Sequence, residues 1–148
     1  MSAETPAEMT ADERDEFLGN GGTGVISLAT DGGPPHSLPV SYGYDRSTTT
    51  FYFRLAVGAD SEKGDLAGRA VTFVVHGETA DGWRSVVAQG RLEATSDDAI
   101  ATETLRGLDR VHIPLVDIFG RPARTVSFEF YRLEPDGLTT RKEADTDE

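Results

Sequence analysis

The chain has 148 residues, and its 26 Asp plus Glu against 14 Lys plus Arg give a formal net charge of -12. That length suits one globular unit with its own core, and so acidic a balance argues against a free nucleic-acid binder. The absence of cysteine excludes a disulfide framework, a thiolate nucleophile, an iron–sulfur cluster and a cysteine zinc site.

Residues 1–20 form an acidic lead. Within it Thr10 and Glu13 have capping-box spacing, and Glu16, Phe17 and Leu18 run into Gly19-Asn20-Gly21-Gly22, which predicts one short helix that stops there. Residues 23–30 read as a buried strand, and Asp31-Gly32-Gly33-Pro34-Pro35 as a turn. A second strand is expected over 36–44, where Pro39 implies an edge, a bulge, or a place where something other than backbone occupies the ladder. After a turn at 45–47, residues 49–55 form a third strand rich in aromatic and β-branched side chains. The polar stretch 58–69 reads as a loop leading into a short helix. Strands follow at 70–76 and 83–93, joined by a turn at 78–82, and Ser96 is placed to cap a helix ending near Leu108. Residues 125–133 alternate as a sixth strand, and the last fifteen residues read largely as an acidic tail.

Six antiparallel strands with hairpin-length connections and a few short helices indicate a mainly β protein, a small barrel with helices at its margins. A doubly wound sheet would need helical crossovers, and most of these connections are too short for them. The domain organisation read from this is a lead at 1–20, a barrel domain at 21–142 and an acidic tail at 143–148. No apolar run approaches the ~20 residues of a membrane span. The acidic first residues are unlike the basic and then apolar start of a signal peptide, so a soluble, cytoplasmic protein with no membrane partner is expected. Lysine occurs only at 63 and 142 against twelve arginines. A dense acidic surface poor in Lys suits a high-salt, halophilic interior, or simply an acidic protein from a high-GC genome.

Few residues declare a chemistry. His36, His76 and His112 lack metal-ligand spacing, so no metal site is expected. There is no Gly-x-Ser-x-Gly elbow. The glycine-rich run 19–24 precedes a strand instead of the helix N-terminus that a phosphate loop uses, and it reads as a turn. The informative stretch is the loop after the third strand, where Arg54 is followed by Ser61 and Lys63. A compact ammonium, a guanidinium fork and a hydroxyl together match the acceptors of a phosphate monoester. The alternative is a surface lysine paired with Glu62 or Asp65. Trp83 would stack near a ligand or pack at a barrel end or interface, and alternation puts Tyr42 and Tyr44 on one side of their strand.

With those residues in order, the chain resembles the pyridoxamine 5'-phosphate oxidase-like, FMN-binding split-barrel family. The resemblance rests on Val25-Ile26-Ser27-Leu28-Ala29-Thr30-Asp31-Gly32, then Pro35-His36-Ser37-Leu38-Pro39-Val40-Ser41-Tyr42-Gly43-Tyr44-Asp45. It continues through the aromatic strand, the 58–66 loop with Lys63, Trp83-Arg84-Ser85-Val86-Val87-Ala88-Gln89-Gly90-Arg91 and Phe130-Tyr131-Arg132-Leu133-Glu134-Pro135. It spans about residues 17–142. The resemblance implies a six-stranded antiparallel split β-barrel with short flanking helices. It also implies a homodimer that buries FMN at its interface and an oxidoreductase acting on a small-molecule substrate.

Carried onto this chain, Leu38, Pro39, Val40 and Ser41 would lie along the flavin ring and Phe53 and Arg54 would flank it. Arg54, Ser61 and Lys63 would hold the phosphate, and Ser85 would contact the ring region near the dimer interface. Glu62 stands where the family loop carries a base before its lysine, which removes one charge from that phosphate site. No catalytic side chain is assigned. Oxidation of pyridoxamine phosphate itself is not expected, because the long C-terminal substrate-binding segment of those enzymes has no counterpart here. F420 or haem are the alternative cofactors of this fold, with His36 or His112 as possible proton donors or haem ligands. A non-enzymatic flavin-binding or stress-associated protein is the alternative of a different class.

Charge is unevenly spread over these parts. Residues 1–20 carry six acids and one Arg, residues 134–148 six acids and two bases, and residues 21–133 carry 14 acids against 11 bases. The barrel is therefore nearly neutral, and Arg54 and Lys63 can form a local positive site within it.

Overall fold

The computed structural model describes residues 7–58, 66–108 and 126–143. In chain order these hold α1 (Ala11–Leu18), β1 (Gly21–Leu28), β2 (His36–Asp45), β3 (Thr50–Gly58), β4 (Ala70–Thr79), β5 (Gly82–Thr95), α2 (Thr102–Leu108), β6 (Val126–Leu133) and β7 (Gly137–Lys142), with a 3-10 turn at Asp97–Ala99. Strands pair antiparallel in the order β4-β1-β2-β3-β6-β5, and β5 returns to β4, so six strands close the ring of a mainly β split barrel. Closure leaves few raw edges, the usual hazard of an open sheet. The length of β5 makes this possible. One edge pairs with β4, while the other pairs first with β7 and then, over 92–95, with β6.

The seventh strand corrects the reading of residues 134–148 as a tail. Alternation in β7 is masked by its charges: Leu138 packs on the core, Thr140 Oγ1 accepts the Met9 N–H at 3.0 Å, and Lys142 Nζ reaches Glu13 Oε2 at 2.9 Å. The helix expected over 96–108 is interrupted. Ile100 has extended backbone (φ -108°, ψ 130°) and is buried with Tyr52 and Leu108. Of the helix expected near 69, the described residues 66–69 form a turn, with the Arg69 N–H donating to Leu66 O and Gly68 at φ 82°.

The expected N-terminal helix is present with both arms of its capping box: Glu13 N donates to Thr10 Oγ1 and Thr10 N to Glu13 Oε1. The Lys142 hydrogen bond holds the Glu13 carboxyl far below the ordinary glutamate range, at about 2. Two tyrosines fasten α1 to the barrel from within. Tyr42 Oη donates to Leu18 O at 2.9 Å, and Tyr44 Oη donates to Asp15 Oδ1 at 2.6 Å. Burial, and then that bond, push the Tyr44 hydroxyl up to about 12.

The core is an aromatic knot. Phe73 meets Tyr42, Phe51 and Phe53 edge-on at 5.4, 5.5 and 4.8 Å, an arrangement worth ~0.5–1.5 kcal/mol per pair beyond area burial. α2 is seated where side chains are missing. A Cβ on Gly43 would stand 2.5 Å from Thr104 O, and one on Gly21 would stand 2.7 Å from Gly107 Cα. Glycine at these positions lets the helix backbone touch β1 and β2. Among the described residues no helix is long and apolar enough to cross a membrane.

Candidate functional site at the β2–β3 split

β2 and β3 pair only over residues 43–45 against 50–52, while β3 continues along β6 from Phe51 to Gly58. Among the described residues, no strand pairs with the β3-facing edge of β2 over 36–42. Extending the β2–β3 register sets Ser41 opposite Arg54 and Pro39 opposite Ala56. Pro39, which has no N–H to donate, thus sits in a strand with one open edge, where proline costs little.

Strand alternation sorts the residues around this gap. Leu38 and Val40 face the core, as does Phe53, so towards a ligand Leu38 and Val40 offer backbone groups. Pro39, Ser41 and Arg54 lie on the outer face. Ser41 is 1% exposed, and its Oγ has no hydrogen-bond partner among the described residues. A hydroxyl buried in that state costs ~1–3 kcal/mol, so it marks a place where a polar ligand group could bind. The Arg54 guanidinium lies 4.7 Å from the Phe128 ring centroid. Because Phe128 pairs with Ala56, the cation is displaced along β3 towards Gly58, the strand end that leads to Ser61 and Lys63.

Ser85 is not in this cluster. It lies on β5, separated from β2 by β1 and β4, on the order of 14 Å along the sheet at ordinary strand spacing. Ser61, Lys63, Glu62 and His112 fall outside the described residues. Trp83, expected as a packing or stacking residue, is 47% exposed and tilts onto the His76 ring at 5.5 Å. Sequence reasoning missed Phe128 as the platform for Arg54. Alternation in 126–133 does put Phe128 on the outer face, but only the β3–β6 register reveals which cation lies over it.

The family model described as pyridoxamine 5'-phosphate oxidase matches residues 10–142. The chain belongs to this family. Solved structures of similar fold include an FAD-binding protein from Mesorhizobium loti, 20% identical, covering 93% of this chain and 98% of that one with a TM-score of 0.62. The FAD-binding protein from Mycobacterium smegmatis is 18% identical over 95% of this chain and 100% of its own, with a TM-score of 0.60. An FAD- and haem-binding protein from the same organism is 16% identical over 90% and 71%, with a TM-score of 0.59. At such identities the likeness establishes the fold. Among curated proteins none matches the sequence.

Proposed function

We propose that this pyridoxamine 5'-phosphate oxidase family member is an FMN-dependent oxidoreductase whose cofactor lies along the open edge of β2. The carrying observation is Ser41, whose buried hydroxyl has no hydrogen-bond partner among the described residues and lies just beyond the point where the β2–β3 ladder ends. A planar ring with polar edges suits such a place, because the β3-facing edge of residues 37–41, with which no described strand pairs, can bond it as a missing strand would. Bound FMN supplies the electron-transfer chemistry of its ring. The chain's part is to bind and orient: the Ser41 hydroxyl meets the ring edge, and Arg54, fixed against Phe128, points to the phosphate end. Ser61 and Lys63 complete the phosphate site in this reading. The FAD-binding names carried by two proteins of similar fold support a flavin as the cofactor class.

The reading includes a homodimer. Ser85 is too far from the split of its own protomer and reaches a flavin only as the contribution of a second copy. The outer face offers such a copy an apolar row, Pro39, Val25, Val74 and Val87, aligned across four strands by register. Sedimentation at micromolar concentration should give a dimer, and a strict monomer would contradict this part of the reading.

Titration with FMN tests the proposal. Saturable binding with a flavin band near ~450 nm is expected, and Lys63→Ala should weaken it by about 2–4 kcal/mol. A Soret band in the purified protein, or preference for F420, would replace FMN by another cofactor. Bleaching of bound flavin by NAD(P)H separates an oxidoreductase from a non-enzymatic flavin binder.

A further inference from the structure

The N-terminal lead of the chain ends on β7, and β7 borders the face that the dimer reading gives to the second copy. Its residues alternate. Leu138, Thr140 and Lys142 are half-buried, whereas Thr139 and Arg141 are exposed on the outer face, opposite Val87 and Ser85 of β5. Thr139 and Arg141 therefore continue the surface to which Ser85 and Val87 belong. Among the described residues β7 has a ladder on one side only, with β5, and its other edge meets the chain in a single bridge between Lys142 and Ala7. An end strand of this kind opens easily unless other contacts hold it.

The contacts that hold it come from residues 7–13. The Lys142 N–H donates to Ala7 O at 2.7 Å, the Met9 N–H donates to Thr140 Oγ1 at 3.0 Å, and Lys142 Nζ donates to both Glu13 carboxylate oxygens, at 3.1 and 2.9 Å. The Met9 side chain is buried in the core against which Leu138 packs. Net charge works against this docking, because six acids and one base in residues 1–20 meet six acids and two bases in residues 134–148. Of those two bases Arg141 lies on the outer face, so Lys142 is the one that faces the lead. Without its ammonium, like charges would face each other across the contact.

We infer that Lys142 is a positioning residue for the flavin site: by clasping Glu13 it seats the lead against β7, and β7 so held keeps its outer face in place beside Ser85. The inference rests on the proposed function, in which Ser85 of one copy meets the flavin of the other. The lead of each protomer then acts on the cofactor of its partner without touching it.

FMN titration of the full-length protein and four variants, with sedimentation of each, tests this coupling. Lys142→Met keeps a long side chain and removes the charge, and it should weaken FMN about three- to tenfold and loosen the dimer in parallel. Thr140→Val, which removes the acceptor of the Met9 N–H without changing charge, should act in the same direction. Lys142→Arg restores the cation and should bring FMN affinity back to within about twofold of wild type. Glu93→Gln breaks an ion pair of similar length, with Arg132 at 3.1 Å, away from the lead, and should leave FMN affinity unchanged. Full affinity in Lys142→Met or Thr140→Val, a loss that Lys142→Arg does not restore, or an equal loss in Glu93→Gln would overturn the inference. Absence of FMN binding by wild type would instead overturn the flavin reading on which it rests.

Discussion

Across the β4–β5 hairpin the ladder runs unbroken from Thr79 opposite Gly82 to Ala70 opposite Arg91, whereas across β2–β3 it stops at Gly43 opposite Tyr52. The first pair closes through the two residues Ala80 and Asp81, and the Thr79 hydroxyl donates to Gly82 O at 2.8 Å. The second turns through Thr49 at φ 54°, a strained left-handed backbone for a β-branched residue, and carries Pro39 in its far half. The β4–β5 pair is spent on closing the barrel. In β2–β3, backbone pairing gives way beside the buried Ser41 hydroxyl, which has no hydrogen-bond partner among the described residues, and this is where the proposed flavin would lie.

Substitutions should separate the closed from the open parts. The largest effect belongs to the shared core: Phe73→Ala should cost about 3–5 kcal/mol in chemical denaturation, because Phe73 joins the rings of β2 and β3 to β4. Next is Gly43→Ala, at the last residue pair before the split. Its Cβ would press on Thr104 O, so a loss of about 1–3 kcal/mol by the same measurement is expected as α2 is lifted.

A smaller effect, present at neutral pH and lost in acid, concerns the terminal clasp. The Glu13 carboxyl titrates at about 2 in the folded chain because Lys142 bonds it. Its stabilising contribution is complete above the ordinary glutamate value of 4.5 and is lost as pH falls from there through about 2. Thermal melts of wild type and Glu13→Gln should therefore differ at neutral pH and converge below about 2. A gap that persists in acid would mean that this ion pair is not the clasp.

The comparison also explains what was legible in the sequence. Apolar runs, β propensity, alternation and turn residues located β1 to β6, Thr10 and Glu13 marked α1, and Pro39 marked an edge, a bulge or an interrupted ladder in β2. β7 was hidden because its partner, β5, lies some fifty residues earlier in the chain, between residues 84–89 and 137–142, and its Arg141 and Lys142 sit in an acidic segment. The break at Ile100 was hidden because it depends on burial against Tyr52 and Leu108. Of the candidate site, the residue types were readable and their grouping was not. Ser41 and Arg54 share the outer face on either side of the split, Leu38, Val40 and Phe53 turn inward, and Ser85 lies three strands away, all through register that no local pattern encodes.

The central claim is that the Ser41 hydroxyl waits for a ligand at the open edge of β2. It is tested most directly by FMN titration of Ser41→Ala beside wild type, with the melting of both apoproteins. The account predicts that the variant apoprotein melts no lower than wild type, since an unpaired buried hydroxyl is removed, and that it binds FMN about tenfold more weakly. Unchanged FMN affinity together with a lower melting temperature would contradict it, making Ser41 a packing residue and the split a feature of the fold alone.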